Sequence, residues 1–400
     1  MKKDVVFLCG YFEKEFEKEV IDKTITSVEN AANIFQFRLI QGFLEQCNLK
    51  VISAPFIGAW PNAYKDFFYK RWWSEKIEYL DFVNVWGYRN ISRSFNMKKK
   101  MQEYLKSNHV DFIIIYSPHT PFIETALYAK KIQPSIKICM IVPDLPQYMN
   151  LNVRRSKIYD FFKAIDIKKF NQIRKNVDYY VVLTKYMAES LNIKDDRYIV
   201  IEGIADKHLV RNNGRQRNNN IKRIVFAGKL NESFGVRNLV ESFKLIKDED
   251  IRLEICGGGE LEEYVKNQEK KDSRIKYYGL VSSEEANNIL VNADILVNPR
   301  INNSEYTKYS FPSKNVEYLL TGNTVIAYML DGIPDIYKQF LLIPKDETIA
   351  ALADTLIYAL HEDKQFAFNR SQKAIEYLTT ERSEKAVTEK ILNMMNGKSM

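Results

Sequence analysis

The sequence predicts an α/β fold made of two doubly wound domains, each a parallel sheet wrapped by crossover helices. Three observations lead there. Short apolar runs of strand length alternate with amphipathic stretches of helix length along the 400 residues. The alternation halts at Asn212-Asn213-Gly214-Arg215-Gln216-Arg217-Asn218-Asn219-Asn220, a run with no apolar residue that reads as a linker. It then restarts with a second set of elements. A chain this long exceeds the roughly 100–200 residues of one ordinary domain, and its 46% apolar content is ample for two cores.

In the first half, strands are expected at Val5–Cys9, Val51–Ser53, Phe112–Tyr116, Ile136–Val142, Tyr179–Thr184 and Tyr198–Glu202. A helix covers Asn30–Gln46, with Ile34, Leu39, Ile40, Phe43 and Leu44 as its apolar face. In the second half, strands are expected at Arg223–Ala227, Arg252–Cys256, Ile275–Tyr278, Ile295–Asn298 and Thr324–Tyr328. Helices lie between them near Arg237–Leu245, Leu261–Lys270, Ser283–Val291 and Ser313–Leu320. Only helical patterns follow Glu347, the last near Ser383–Asn396, and such a tail can pack back across the junction. The expected boundaries are 1–205 for the first domain, 206–222 for the linker, 223–380 for the second domain and 381–400 for a helix returning to the first.

Composition removes several classes. No run approaches the roughly 18 apolar residues of a spanning helix, and the apolar run after Met1-Lys2-Lys3 is too short for a signal peptide, so a cytoplasmic location is expected. Cys9, Cys47, Cys139 and Cys256 are scattered and mostly within apolar runs, which suits reduced core thiols. With four histidines and neither C-x-x-C nor H-E-x-x-H, no protein-bound metal is expected. The formal charge of +8 favours an anionic partner without choosing among nucleic acid, membrane surface and phosphorylated small molecule.

Ligands of doubly wound sheets sit beyond the carboxyl ends of the strands, so the turns there carry the candidate chemistry. Ala227-Gly228-Lys229-Leu230 and the later Gly235 flank a short loop in which backbone N–H groups can approach a phosphate and Lys229 adds charge. Cys256-Gly257-Gly258-Gly259-Glu260 links a strand to a helix as a phosphate or nucleoside site would. Either is equally readable as a tight turn. After Asn298-Pro299-Arg300 and a polar loop comes Phe311-Pro312-Ser313-Lys314-Asn315-Val316-Glu317, where a helix N-terminus and Lys314 suit an anion. Glu317, a turn further in, can accept from a ribose diol. In the first half, His119 of Tyr116-Ser117-Pro118-His119 follows a strand, where a neutral imidazole can orient or deprotonate a hydroxyl. Asp144 and Glu202 are further strand-end acids.

The order Gly-Lys-Leu, Gly-Gly-Gly-Glu, Tyr277-Tyr278-Gly279-Leu280-Val281, Asn298-Pro299-Arg300 and Phe-Pro-Ser-Lys-x-x-Glu-Tyr-Leu resembles the retaining GT-B glycosyltransferases of family four (glycosyl transferases group 1). Within them, the bacterial capsular and exopolysaccharide branch is the most similar. Asn30-Ala31-Ala32-Asn33-Ile34-Phe35-Gln36 and Pro143-Asp144-Leu145-Pro146 extend the resemblance over almost the whole chain. It implies two Rossmann-like domains facing each other across a cleft, and transfer of a sugar from a nucleotide-sugar donor, UDP-sugar favoured, to a lipid-linked or growing polysaccharide acceptor. Catalytic roles would fall to His119, Lys229 and Lys314. Gly228, Lys229, Gly258, Leu280, Arg300, Ser313, Lys314 and Glu317 would bind the donor, with no cofactor and with positive charge in place of a metal.

The chain departs from the family pattern where the first acid of Glu-x7-Glu is Tyr309 and where a second cation falls on Phe234. Lys314 is a substitute for that cation, and Glu305 a candidate reader of the sugar hydroxyls. The net charge has two candidate sources. Arg154, Arg155, Lys157, Lys163, Lys168, Lys169, Arg174 and Lys175 face only Asp160 and Asp166, and Phe67-Phe68-Tyr69-Lys70-Arg71-Trp72-Trp73 lies upstream. Basic segments with aromatics suit the inner face of an anionic cell membrane, and no nucleic-acid motif accompanies them. The rival readings are a non-catalytic GT-B partner or glycan-binding subunit, and a nucleotide-sugar epimerase.

Overall fold

The computed structural model describes residues 2–26, 28, 30–148, 164, 167–210, 221–302 and 305–398. The linker run and the first part of the basic stretch Arg154–Lys175, residues 154–163, 165 and 166, lie outside them. The chain divides into two compact units, Met1–Ile201 with Glu384–Met400, and Glu202–Ser383.

The first unit is built on β1 (Asp4–Cys9), β2 (Asn48–Ser53), β4 (Ile77–Tyr79), β6 (Phe112–Tyr116), β7 (Lys137–Val142), β8 (Tyr179–Val182) and β9 (Tyr198–Val200), joined in the order β4-β2-β1-β6-β7-β8-β9 with every neighbour parallel. A small antiparallel pair, β3 (Phe68–Tyr69) and β5 (Phe82–Val83), stands apart. The central strands are continuous apolar runs because helices cover both faces of a parallel sheet, and every residue of β6 is buried. The helix Asn30–Gln46 forms as expected. Its buried face is Gln36, Leu39, Ile40, Gly42 and Phe43, whereas Ile34 and Leu44 are about half exposed. At 100° per residue Leu44 lies at the flank of the stripe centred on residues 36, 39, 40 and 43, and Ile34 lies on the opposite side of the helix. Gly42 is required there: a Cβ would lie 2.3 Å from the carbonyl of Glu384, where the C-terminal helix Glu384–Met395 crosses. Gln46 Nε2 donates to the Lys385 carbonyl at 3.0 Å and to Thr388 at 2.5 Å, so the end of the chain is anchored in the first unit.

The second unit contains β10 (Lys222–Ala227), β11 (Ile251–Cys256), β12 (Ile275–Gly279), β13 (Ile295–Asn298) and β14 (Thr324–Ala327), all parallel, in the order β12-β11-β10-β13-β14. That is the doubly wound order, reversing between β10 and β13. Helices Val236–Leu245 and Ile349–His361 bury Leu239, Val240, Phe243, Leu352 and Leu356 with the aliphatic residues of the strands in one core. On the other face, Ser313–Leu320 and Lys364–Glu381 enclose a core around Val316, Leu319, Leu320, Ala374 and Leu378. Two Rossmann-like sheets with C-terminal helices therefore make up the molecule. Among the described residues, no helix is long and apolar enough to cross a membrane.

Candidate functional site

In the second unit the turns after three successive strands are laced by backbone hydrogen bonds. Gly228 N–H donates to the Cys256 carbonyl (3.0 Å), Leu230 N–H to Gly258 (3.0 Å) and Gly257 N–H to Gly279 (2.8 Å). Glycine is needed at two crossings. A Cβ on Gly257, whose φ is +133°, would fall 1.8 Å from the Gly228 carbonyl oxygen, and one on Gly235, at φ +73°, would fall 2.0 Å from that of Pro299. Gly228, Lys229, Gly258 and Leu280 are thereby gathered at one end of the sheet. Lys229 is exposed and forms no ion pair among the described residues. Leu280 is 84% exposed, standing above the Gly258 turn.

The helix Ser313–Leu320 is fixed to the same end of β10 by its own buried polar residues. The Tyr318 hydroxyl accepts from the Ala227 N–H (2.9 Å) and donates to the Ala227 carbonyl (3.0 Å). Asn298 at the end of β13 donates to the Asn315 side chain at 2.7 Å. Pro312 occupies the N-cap position, no side chain caps the helix, and Ser313 is exposed in its first turn. Uncapped N–H groups and the helix dipole together favour an anion. Lys314 and Glu317, expected to contact different parts of a ligand, are paired with each other at 2.6 Å. Arg300 is half-buried with its guanidinium over the rings of Phe234 (5.3 Å) and Tyr306 (5.8 Å), and burial lowers its pKa. Phe234, where the resemblance led one to expect a second cation, thus carries the Arg300 guanidinium on its face. Glu305 is paired with Lys308 at 2.9 Å and Tyr309 is buried.

His119 belongs to the first unit, at the N-cap of the helix Thr120–Ile132 that follows β6. Ser117, two residues earlier, has φ +75°, a strained conformation at the strand end. The imidazole lies edge-on to Phe56 (5.8 Å) and Phe122 (4.9 Å), and its Nε2 is shut off from water without a partner. Burial, then the charges of Arg93 and Arg89, hold its pKa well below 6.5, so the ring is neutral at physiological pH.

Glu202 accepts from Arg382 (2.7 Å) and from the Tyr337 hydroxyl (3.0 Å) in the interior, a structural role. Asp144 is half-buried in the turn after β7. In the aromatic motif upstream, Trp72 stacks on Phe16 (4.5 Å) and Tyr69 is buried, leaving Phe67, Phe68 and Trp73 exposed. All four cysteines are buried and unpaired. Among the described residues, no cluster of three or more His, Cys, Asp or Glu is arranged to hold a metal ion. Sequence reasoning missed Tyr318 and Asn315 as the clamps of the site helix. Polar residues inside an apolar stripe of that helix were the available signal.

Residues 221–362 match the family of glycosyl transferases group 1. No curated protein matches the chain significantly. Solved structures do. A glycosyltransferase from Rickettsia africae is 12% identical with a TM-score of 0.64, covering 99% of this chain and 98% of its own. Anabaena Alr3699/HepE, solved in complex with UDP, is 12% identical with a TM-score of 0.64, covering 98% and 99%. Sucrose-phosphate synthase from Thermosynechococcus elongatus is 13% identical with a TM-score of 0.63, covering 98% of each chain. The chain has the GT-B fold of these proteins and carries a glycosyl transferases group 1 match within its second unit, a combination that supports sugar transfer.

Proposed function

We propose that the protein is a retaining, metal-independent glycosyltransferase that moves a hexose-type sugar from a nucleotide-sugar donor, UDP-sugar favoured, to a lipid-linked or growing surface-polysaccharide acceptor. The observation that carries this reading is the end of the second sheet. There the glycine turns expose backbone and Lys229, and an uncapped helix presents Lys314 and Glu317. Lys229, Lys314 and the N-terminus of the helix at Ser313 hold the donor diphosphate. Arg300, fixed on Phe234, supplies the second cation whose usual position Phe234 occupies. Glu317 leaves Lys314 to accept from the ribose hydroxyls when the diphosphate takes the lysine, and Leu280 with the Gly258 turn lies against the base. The complex of HepE with UDP supports the choice of nucleotide.

The chemistry asked of these residues is electrostatic. The bond from the anomeric carbon to the diphosphate breaks, the acceptor oxygen bonds to the same face, and the acceptor proton leaves with the diphosphate. Cations and helix N–H groups aimed at the departing diphosphate lower that barrier without a metal. His119, neutral and at a strand end, serves the acceptor side. We place the protein at the inner face of the cell membrane, with the exposed Phe67, Phe68 and Trp73 and the basic segment as contacts. Tyr309 and Phe234 favour one alternative, a non-catalytic GT-B subunit. Incubation with UDP-sugars and a membrane-lipid acceptor fraction in EDTA separates them: the enzyme yields a glycosylated product whose anomeric configuration matches the donor, and the subunit yields none.

A further inference from the structure

The end of the first sheet holds charge that its own residues leave unbalanced. Arg89 and Arg93 stand one turn apart on the helix Arg89–Leu105, in line with the buried Met97, Met101 and Leu105. Arg93 is only 1% exposed; its guanidinium lies 4.1 Å from the Phe82 ring and donates to the Pro55 carbonyl at 2.8 Å. Arg89 donates to the Ile57 carbonyl at 3.1 Å. Both cations thus grip the loop after β2, whose Phe56 ring abuts His119. No described carboxylate pairs with either arginine, and Arg93 Nε and His119 Nε2 are buried without a partner.

Among the described residues, three enclosed arginines of the second unit are balanced by carboxylates: Arg223 by Glu254, Arg370 by Glu362 and Arg382 by Glu202. Arginine does not shed its proton in a protein, so two guanidiniums here repel each other and bear the cost of burial, offset only by carbonyls and a ring face. The Arg89–Arg93 pair sits where the strand order of this sheet reverses, between β1 and β6, which is where open α/β sheets take ligands. Arg89 and His119 are partly exposed as residues, while Arg93 and the His119 Nε2 atom are themselves enclosed.

We propose that Arg89, Arg93 and His119 receive an anionic group of the acceptor, a carboxylate or a phosphate monoester. Each planar guanidinium fork matches a pair of such oxygens, and the neutral imidazole donates a third hydrogen bond from Nε2–H. The proposal rests on the function above for the word acceptor alone; anion binding at this place is measurable without it.

The test titrates the full chain, in EDTA with excess UDP to fill the donor site, with glucuronate, glucose 6-phosphate, inorganic phosphate and, as the neutral control, glucose. Calorimetry gives affinity, and the resonances of the four histidines report the place. An anionic probe binds and glucose does not, the His119 resonance shifts, and Arg89→Gln and Arg93→Lys each weaken binding by about tenfold or more. Glucuronate against glucose 6-phosphate tells which anion is preferred. Lys314→Ala leaves the anion affinity unchanged. Failure of every anionic probe to bind the folded wild-type chain overturns the proposal and leaves the arginines as a clamp on the loop; so does binding that survives both arginine variants. Should one variant fail to fold, the other and the His119 signal still decide. Anion binding without UDP binding supports this site and counts against the donor reading.

Discussion

The two units share one architecture and finish their strand ends in opposite ways. Both sheets are parallel and reverse their order beside the central strand, β1 in one and β10 in the other. At the second sheet, glycine turns bring backbone to the surface, and the cations Lys229 and Lys314 stand in or near solvent on long side chains. At the first, bulky rings from Phe56 and Phe122 wall the end, and the cations are arginines fastened to carbonyls. The difference teaches what each end is suited to. Exposed backbone N–H groups and a flexible lysine adapt to a diphosphate, whereas fixed guanidinium forks within aromatic walls select one group in one orientation.

The largest effect expected falls on the second sheet. Lys314→Ala or Glu317→Ala lowers kcat with a UDP-sugar by about 10²–10³, the usual size of losing one electrostatic contact to a transition state. Turnover at the wild-type rate would remove the helix Ser313–Leu320 from the site. A pair of glycine variants comes next and separates folding from function. Gly257→Ala and Gly42→Ala each place a methyl against a carbonyl oxygen, and each costs about 1–3 kcal/mol in urea unfolding. Only Gly257→Ala also weakens UDP binding, because Gly42 serves helix packing in the first unit.

Smaller effects distinguish the ionisable groups of the first unit by pH. The pKa of His119 is depressed, so the stability it contributes is complete above 6.5 and is lost as pH falls below that value. His119→Asn flattens the stability curve there. Burial alone raises the pKa of Glu124, but hydrogen bonds from Lys169, Ser94 and Lys98 outweigh it and bring it to about 2. Its contribution is complete above 4.5 and fades as pH falls toward 2, a slope that Glu124→Gln removes in acid unfolding scans. The smallest effect belongs to Leu280→Ser, which raises the KM for the donor by about 2–5-fold with melting temperature unchanged, since 84% of the side chain is exposed.

The strands were largely legible because a strand buried on both faces must be a continuous apolar run. Phe112–Tyr116 and Ile295–Asn298 have the boundaries read from sequence alone. Glycine and proline punctuation likewise placed the turns at Gly228, Gly257 and Pro312. The short strands Phe68–Tyr69, Ile77–Tyr79 and Phe82–Val83 were not legible, since they are two or three residues long and depend on tertiary partners. Side-chain pairing was only half legible. Lys314 and Glu317 have the i, i+3 spacing that brings opposite charges together, yet chemistry alone assigned them separate tasks. The arginine pair went unread even though Arg89, Arg93, Met97 and Met101 recur every four residues, a period that puts both arginines on the buried face.

The central claim is that the end of the second sheet binds a nucleotide diphosphate without a metal. Calorimetric titration of UDP and UDP-glucose into the full chain in EDTA, repeated with Lys314→Ala, tests it most directly. The account predicts saturable one-to-one binding to the wild type, unchanged when magnesium or manganese replaces EDTA, and weakened about tenfold or more by the variant. Binding that requires the metal, or that Lys314→Ala leaves intact, would contradict it.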